Sequence, residues 1–177
     1  MEREKKKVLI VIDVQNDFVY GSPGTPEAQK VVPNIIKKVE EYRSRDDAII
    51  FTTDTHYDDY LETSEGRKLP VSHCIVGTSG YEIIPELNVE LSTMEKIYPK
   101  STFGYRWNMG HWMRCYDVEI IGVCTDICVV TNALVLKTYY PDIEITVDAS
   151  CCAGTTPEKH RAALEVMKSC QIEVIGE

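Results

Sequence analysis

Five short apolar runs mark the chain, at residues 8–12, 48–51, 118–123, 143–147 and 172–175. They are rich in β-branched side chains and several are nearly continuous, the pattern of strands covered on both faces of a parallel sheet. A weaker strand candidate lies near 92–97. Between the runs the apolar spacing changes to that of helices. Residues 33–45 put Ile35, Ile36, Val39 and Tyr42 on one face, with Pro33 suited to a first turn. Residues 126–140 read as a helix capped by Thr125 or Asp126 and stopped before Pro141. Thr156-Pro157-Glu158 opens a third, whose Ala163, Val166, Met167 and Cys170 recur at helical spacing. Strands alternating with helices predict right-handed βαβ units in a three-layer α/β/α sandwich, one domain over residues 1–177. The stretch 52–103 breaks the alternation, and a long loop region inside a compact α/β domain is usually functional.

Composition says more about partners than about fold. The 177 residues are 44% hydrophobic and 27% charged, which is ordinary for a globular chain. An excess of 28 acidic over 19 basic residues leaves a net charge of −9, so no nucleic-acid partner is expected. The one basic cluster, Lys5-Lys6-Lys7, is offset by Glu2 and Glu4 and reads as a solvated tail. No apolar run approaches the roughly 18 residues of a membrane span, and residues 1–13 lack the core and cleavage site of a signal peptide. Seven cysteines without a secretory signal read as reduced thiols of a cytoplasmic protein, at most one of them doing chemistry. Cys124, Cys128, Cys151, Cys152 and Cys170 lie in or beside apolar runs, where a thiol behaves as a small hydrophobe.

Ligands of open α/β sheets gather beyond the carboxyl ends of the strands. Those ends carry Asp13, then Asp54 and His56, then the Cys124–Cys128 stretch. Cys128 falls in the first turn of the helix after the 118–123 strand, where N–H groups and the macrodipole would lower a thiol pKa and could hold an oxyanion; the bland alternative is a buried structural thiol. Asp13 reads either as a desolvated general base or as an acid capping its turn, and Asp17 as structural. Asp54, His56 and His73, with Glu65 or else Glu62, offer oxygen and nitrogen ligands suited to Zn²⁺, Fe²⁺ or Mn²⁺, although loop histidines are often only solvated. Lys100 would stabilise both Asp13 and Cys128 if it lay near them. His111 and His160 read as packing or surface residues.

Five stretches in order, IDVQNDF at 12–18, TDTH at 53–56, His73-Cys74 followed by Gly77-Thr78, KSTFG at 100–104 and GVCTDICV at 122–129, resemble the isochorismatase-like cysteine hydrolases, nicotinamidases in particular. The resemblance covers nearly the whole chain. It implies a six-stranded parallel sheet and an Asp13–Lys100–Cys128 triad with Cys128 as nucleophile and Asp13 as base. It also implies a cis peptide between Val123 and Cys124, and an oxyanion hole from the Cys124 and Cys128 backbone N–H groups. A divalent transition metal, zinc first and iron or manganese next, would sit on Asp54, His56, His73 and Glu65 and hold the ring nitrogen of nicotinamide. The implied reaction is amide hydrolysis to nicotinate and ammonia, in NAD salvage, by a homo-oligomer acting on a small amide. One departure bears on substrate: relatives often carry a stacking aromatic shortly before the last metal histidine, and Leu69-Pro70-Val71-Ser72 has none. That leaves Phe18 to line the pocket, with Tyr20, Tyr57, Tyr60 or Tyr105 as substitutes. The competing readings are hydrolysis of another small amide or carbamoyl compound, isochorismatase-type enol-ether cleavage, a non-catalytic α/β binding module, and a degenerate partner protein. The second would not need Cys128, the third would need a Gly-rich phosphate loop that is missing after residue 12, and the intact Asp13, Lys100 and Cys128 speak against the last.

Overall fold

A computed structural model describes residues 6–177, the side chains of His111 and Trp112 excepted. Six strands form one parallel sheet: β1 (Lys6–Ile12), β2 (Ala48–Asp54), β3 (Glu95–Lys100), β4 (Tyr116–Val123), β5 (Ile145–Ala153) and β6 (Glu173–Ile175). Their order across the sheet is β3-β2-β1-β4-β5-β6. Helices α1 (Asn16–Val19), α2 (Pro26–Ser44), α3 (Val130–Tyr139) and α4 (Pro157–Ser169) join them. The chain steps one way from β1 to β2 and the other way from β4 to β6. Right-handed crossovers therefore put α2 on one face and α3 and α4 on the opposite one. With both faces covered, Val8 to Ile12 of β1 are all fully buried, which is why that run is unbroken.

Several elements depart from the expected bounds. Helix α2 starts at Pro26, because Thr25 accepts a hydrogen bond from Ala28 N and Pro26 and Glu27 fill its first turn; Pro33 lies inside the helix. Ala28 and Val32 join Ile35, Val39 and Tyr42 on its buried face. Neither Thr125 nor Asp126 caps α3. Residues Thr125–Val129 form a single π-helical turn before it, and the Asp126 carboxylate accepts instead from the Thr155 N–H and hydroxyl. In α4, Ala163, Leu164 and Met167 face inward while Val166 and Cys170 are exposed. The β5 strand runs on through Cys151 and Cys152, and β3 ends on Lys100. Lys6 and Lys7 open β1 with exposed side chains rather than forming a tail, and Lys5 lies outside the described residues, as does the side chain of His111. No helix among the described residues is long and apolar enough to cross a membrane.

The site end of the sheet depends on one glycine. At Gly122 (φ +122°) a Cβ would come within 2.2 Å of the Ile12 carbonyl oxygen. Only glycine lets β4 approach β1 this closely, and the register with β5 shifts at the same point. One residue further on, the Val123–Cys124 peptide bond is cis.

Candidate active site and metal centre

Three strands release a charged side chain at the same edge. Asp13 follows β1, Asp54 ends β2, and Lys100 ends β3 directly opposite Asp54 in register. Lys100 is therefore the last residue of a strand, and it is buried, the residue 4% exposed. Its Nζ lies 2.7 Å from Asp13 Oδ2, 3.2 Å from Asp54 Oδ1 and 3.6 Å from Cys128 Sγ. Cys128 arrives from the π-helical turn after β4, at the point where the strand order reverses between β1 and β4.

Burial dominates the charges here. It pushes the Asp13 carboxyl up from its ordinary range, Lys100 pulling the other way. Asp13 Oδ1 accepts from the Thr52 hydroxyl at 2.7 Å, leaving Oδ2 for Lys100. Burial would lower the lysine, but Asp13, Cys128 and Asp54 outweigh it and keep the ammonium charged. The Cys128 thiol is pushed well above its ordinary value by burial and by Asp13, more than Lys100 offsets. The expected depression of its pKa is thus overturned: the group is sealed from water, and α3 begins only at Val130.

The second half of the site lies beside it. Asp54, His56, Glu65 and His73 bring one ligand atom each to within 4.8 Å of one another. His56 Nε2 is 3.0 Å from Asp54 Oδ2, and His73 Nε2 is 3.6 Å from the same oxygen and 3.9 Å from Glu65 Oε1. His73 Nδ1 donates to the Val71 carbonyl at 2.7 Å, so Nε2 is the nitrogen turned to the cluster. Burial would raise Asp54, yet hydrogen bonds from His56 and His73 and the charge of Lys100 hold it well below the carboxylate range. Such a set of two imidazoles and two carboxylates fits a divalent transition metal. Glu62 is exposed and stands outside the set. Phe18 packs on the His73 ring, and Tyr60 on both histidines. Tyr20 and Tyr57 are exposed, and Tyr105 is stacked on Tyr98.

Two residues of the site, Asn132 and Gln15, were not singled out from the sequence, and a third, His160, was read there as a packing or surface residue. Asn132, fully buried in α3, accepts from Tyr105 N and the Trp107 indole and donates to the Cys128 and Phe103 carbonyls. Its signal was a lone amide inside the apolar run of residues 129–136. Gln15 clasps the Asp54 peptide, accepting from its N–H and donating to its carbonyl. His160 Nδ1 hydrogen-bonds the buried Thr125 hydroxyl at 2.8 Å, so it buttresses the turn that carries Cys128.

The chain matches the isochorismatase domain family over residues 7–176. It is 30% identical to the nicotinamidase of Schizosaccharomyces pombe, over 96% of this chain and 92% of that protein. It is equally 30% identical to an Arabidopsis thaliana protein named a probable inactive nicotinamidase, over 95% and 91%. The crystal structure of the pyrazinamidase of Pyrococcus horikoshii in complex with zinc is similar at a TM-score of 0.80, with 25% identity over 97% and 99% of the two chains. With the match running from the first strand to the last, the chain belongs to the isochorismatase family and is nicotinamidase-like within it.

Proposed function

We propose that this amide hydrolase cleaves the carboxamide of nicotinamide to nicotinate and ammonia through a thioester on Cys128. The observation that carries the reading is the buried ammonium of Lys100, in reach of both Asp13 Oδ2 and Cys128 Sγ and beside four metal-ligand side chains. The resting thiol is protonated. As Sγ adds to the amide carbon, its proton passes to Asp13, whose raised pKa suits a general base. Lys100 balances the charge, and the Cys124 and Cys128 N–H groups receive the oxyanion. Asp13 returns the proton to the departing nitrogen and ammonia leaves. A water then gives its proton to Asp13 and attacks the thioester carbon; the C–S bond breaks, nicotinate departs and Cys128 is reprotonated. A metal ion held by Asp54, His56, Glu65 and His73, zinc in this reading with iron or manganese the alternatives, would supply a Lewis-acid anchor for the pyridine nitrogen. Phe18 lines the ring pocket.

Ammonia release from nicotinamide, pyrazinamide and a panel of unrelated small amides and carbamoyl compounds tests this. Turnover of the two aromatic amides above the rest is expected. Turnover of another member alone would assign the reading that the missing aromatic at 69–72 favours, a different small amide or carbamoyl substrate. Silence across the panel would leave a non-catalytic protein, as the name of the Arabidopsis relative suggests for that chain. Elemental analysis of protein purified without chelator should find about one first-row metal per chain.

A further inference from the structure

We infer that Asp17 is a positioning residue for the metal-ligand cluster, its carboxylate fixing the peptide that carries His73 and His56 into place. The inference rests on the reading of Asp54, His56, Glu65 and His73 as metal ligands. Asp17 lies in α1, the short turn that follows β1, and its Oδ2 accepts from the Cys74 N–H at 2.8 Å. Cys74 follows His73, and its own carbonyl accepts from the His56 N–H at 3.0 Å. One carboxylate thus holds the N–H of Cys74, the residue that follows His73 and whose carbonyl receives the His56 N–H, and Cys74 sits there at φ +49°. The same turn makes a further contact: Phe18, the next residue, packs on the His73 ring with centroids 5.3 Å apart.

The surroundings are shaped around this carboxylate. A Cβ on Gly80 would lie 2.2 Å from Asp17 Oδ2, and one on Gly21 would lie 2.6 Å from Asp17 Oδ1. Both positions are kept free of side chain by glycine, so the acid fills the space they leave. The Asn16 side chain donates to the Ser79 carbonyl and its N–H to the Glu82 carbonyl, which keeps α1 against the loop that carries the ligands. A serine or alanine at 17 could not span the gap to Cys74, whereas asparagine offers the same acceptor oxygen.

Zinc titration of the full chain against a chromophoric chelator, beside thermal unfolding of the metal-free proteins, tests the inference. The wild type should bind one zinc. Asp17→Ala and Gly80→Ala should weaken that binding about tenfold or more, the range seen when partners behind metal ligands are removed. Asp17→Asn should keep most of the affinity. Arg43→Ala, which breaks the Glu95 ion pair at the far end of β3, should lower Tm and leave zinc affinity unchanged. Asp17→Ser provides the same comparison if Asp17→Ala does not fold. Wild-type zinc binding with unaltered affinity in the folded Asp17→Ala or Asp17→Ser protein overturns the inference alone. Failure of the wild type to bind zinc overturns both it and the metal reading.

Discussion

Asp13 and its neighbours illustrate how much a single side chain owes to its surroundings. The carboxylate was legible because it ends an apolar run, and strand ends in such sheets face the ligand. Thr52 was not: a threonine in a β-branched run reads as strand propensity, and only the paired strands reveal that its hydroxyl holds Asp13 Oδ1. Thr52→Val should therefore lower kcat roughly tenfold with little change in KM, while Thr52→Ser retains activity, since about 1.4 kcal/mol of lost positioning corresponds to tenfold in rate. Cys128 was legible by position and misread in its state. Being buried with a raised pKa, it should react with iodoacetamide after the exposed Cys115 and Cys170 in the resting protein, as peptide mapping would show. Cys128→Ala should nonetheless reduce amide hydrolysis to near background and leave the fold intact.

Among the elements, α3 shows what a hydrophobic pattern conceals. The run 129–136 announces a buried helix, and Asn132 looks like a blemish in it. The structure makes that amide the tie between the Cys128 turn and the 103–107 segment, with all four of its hydrogen bonds satisfied by protein. Asn132→Leu would strand the Trp107 indole and the Tyr105 N–H, each unpaired donor costing about 1–3 kcal/mol. For the two donors together, calorimetry should show Tm lower by roughly 4–24 °C, taking about 2–4 °C per kcal/mol for a domain of this size. The helix start was misplaced because Thr125 and Asp126 have cap chemistry but are engaged elsewhere, with His160 and Thr155. The β3 strand was faint because Lys96, Pro99 and Lys100 interrupt its pattern; Glu95 and Lys100 are buried at its two ends while Lys96 and Pro99 are exposed between them.

For the molecule as a whole, the layer order was readable from alternation, the sixth strand only from a weak candidate and from what the resemblance implied, and the charge network that pins α2 to the sheet not at all. Lys38 lies 2.6 Å from Glu119 Oε1 of β4 and 3.0 Å from Asp148 Oδ2 of β5, and Tyr42 donates to Glu119. These residues fall on elements far apart in sequence, so no local spacing connects them. Burial would raise Asp148, but Ser150 and Lys38 outweigh it and hold its carboxyl below the ordinary value. A carboxylate depressed in the folded state stabilises fully above its unfolded pKa of about 4 and loses that contribution as pH falls through the folded value. Urea unfolding between pH 6 and pH 3 should show the wild type weakening below about pH 4. Asp148→Asn should be less stable above that point and flatter below it; an unchanged acid slope would remove Asp148 from the account.

The place of β1 at the middle of the sheet has a consequence for how the chain must be made. Val8 to Ile12 pair with β2 on one side, and Lys6 to Ile12 with Tyr116 to Gly122 on the other. On a ribosome this strand therefore emerges before both neighbours, meets β2 first, and waits for β4 until about a hundred further residues have been synthesised. Pairings between such distant segments are slow to form. Until then, one edge of Val8 to Ile12 is an unsatisfied row of backbone donors and acceptors, open to any other strand. A nascent chain stalled before Tyr116 should be the species that chaperones hold and that aggregates without them.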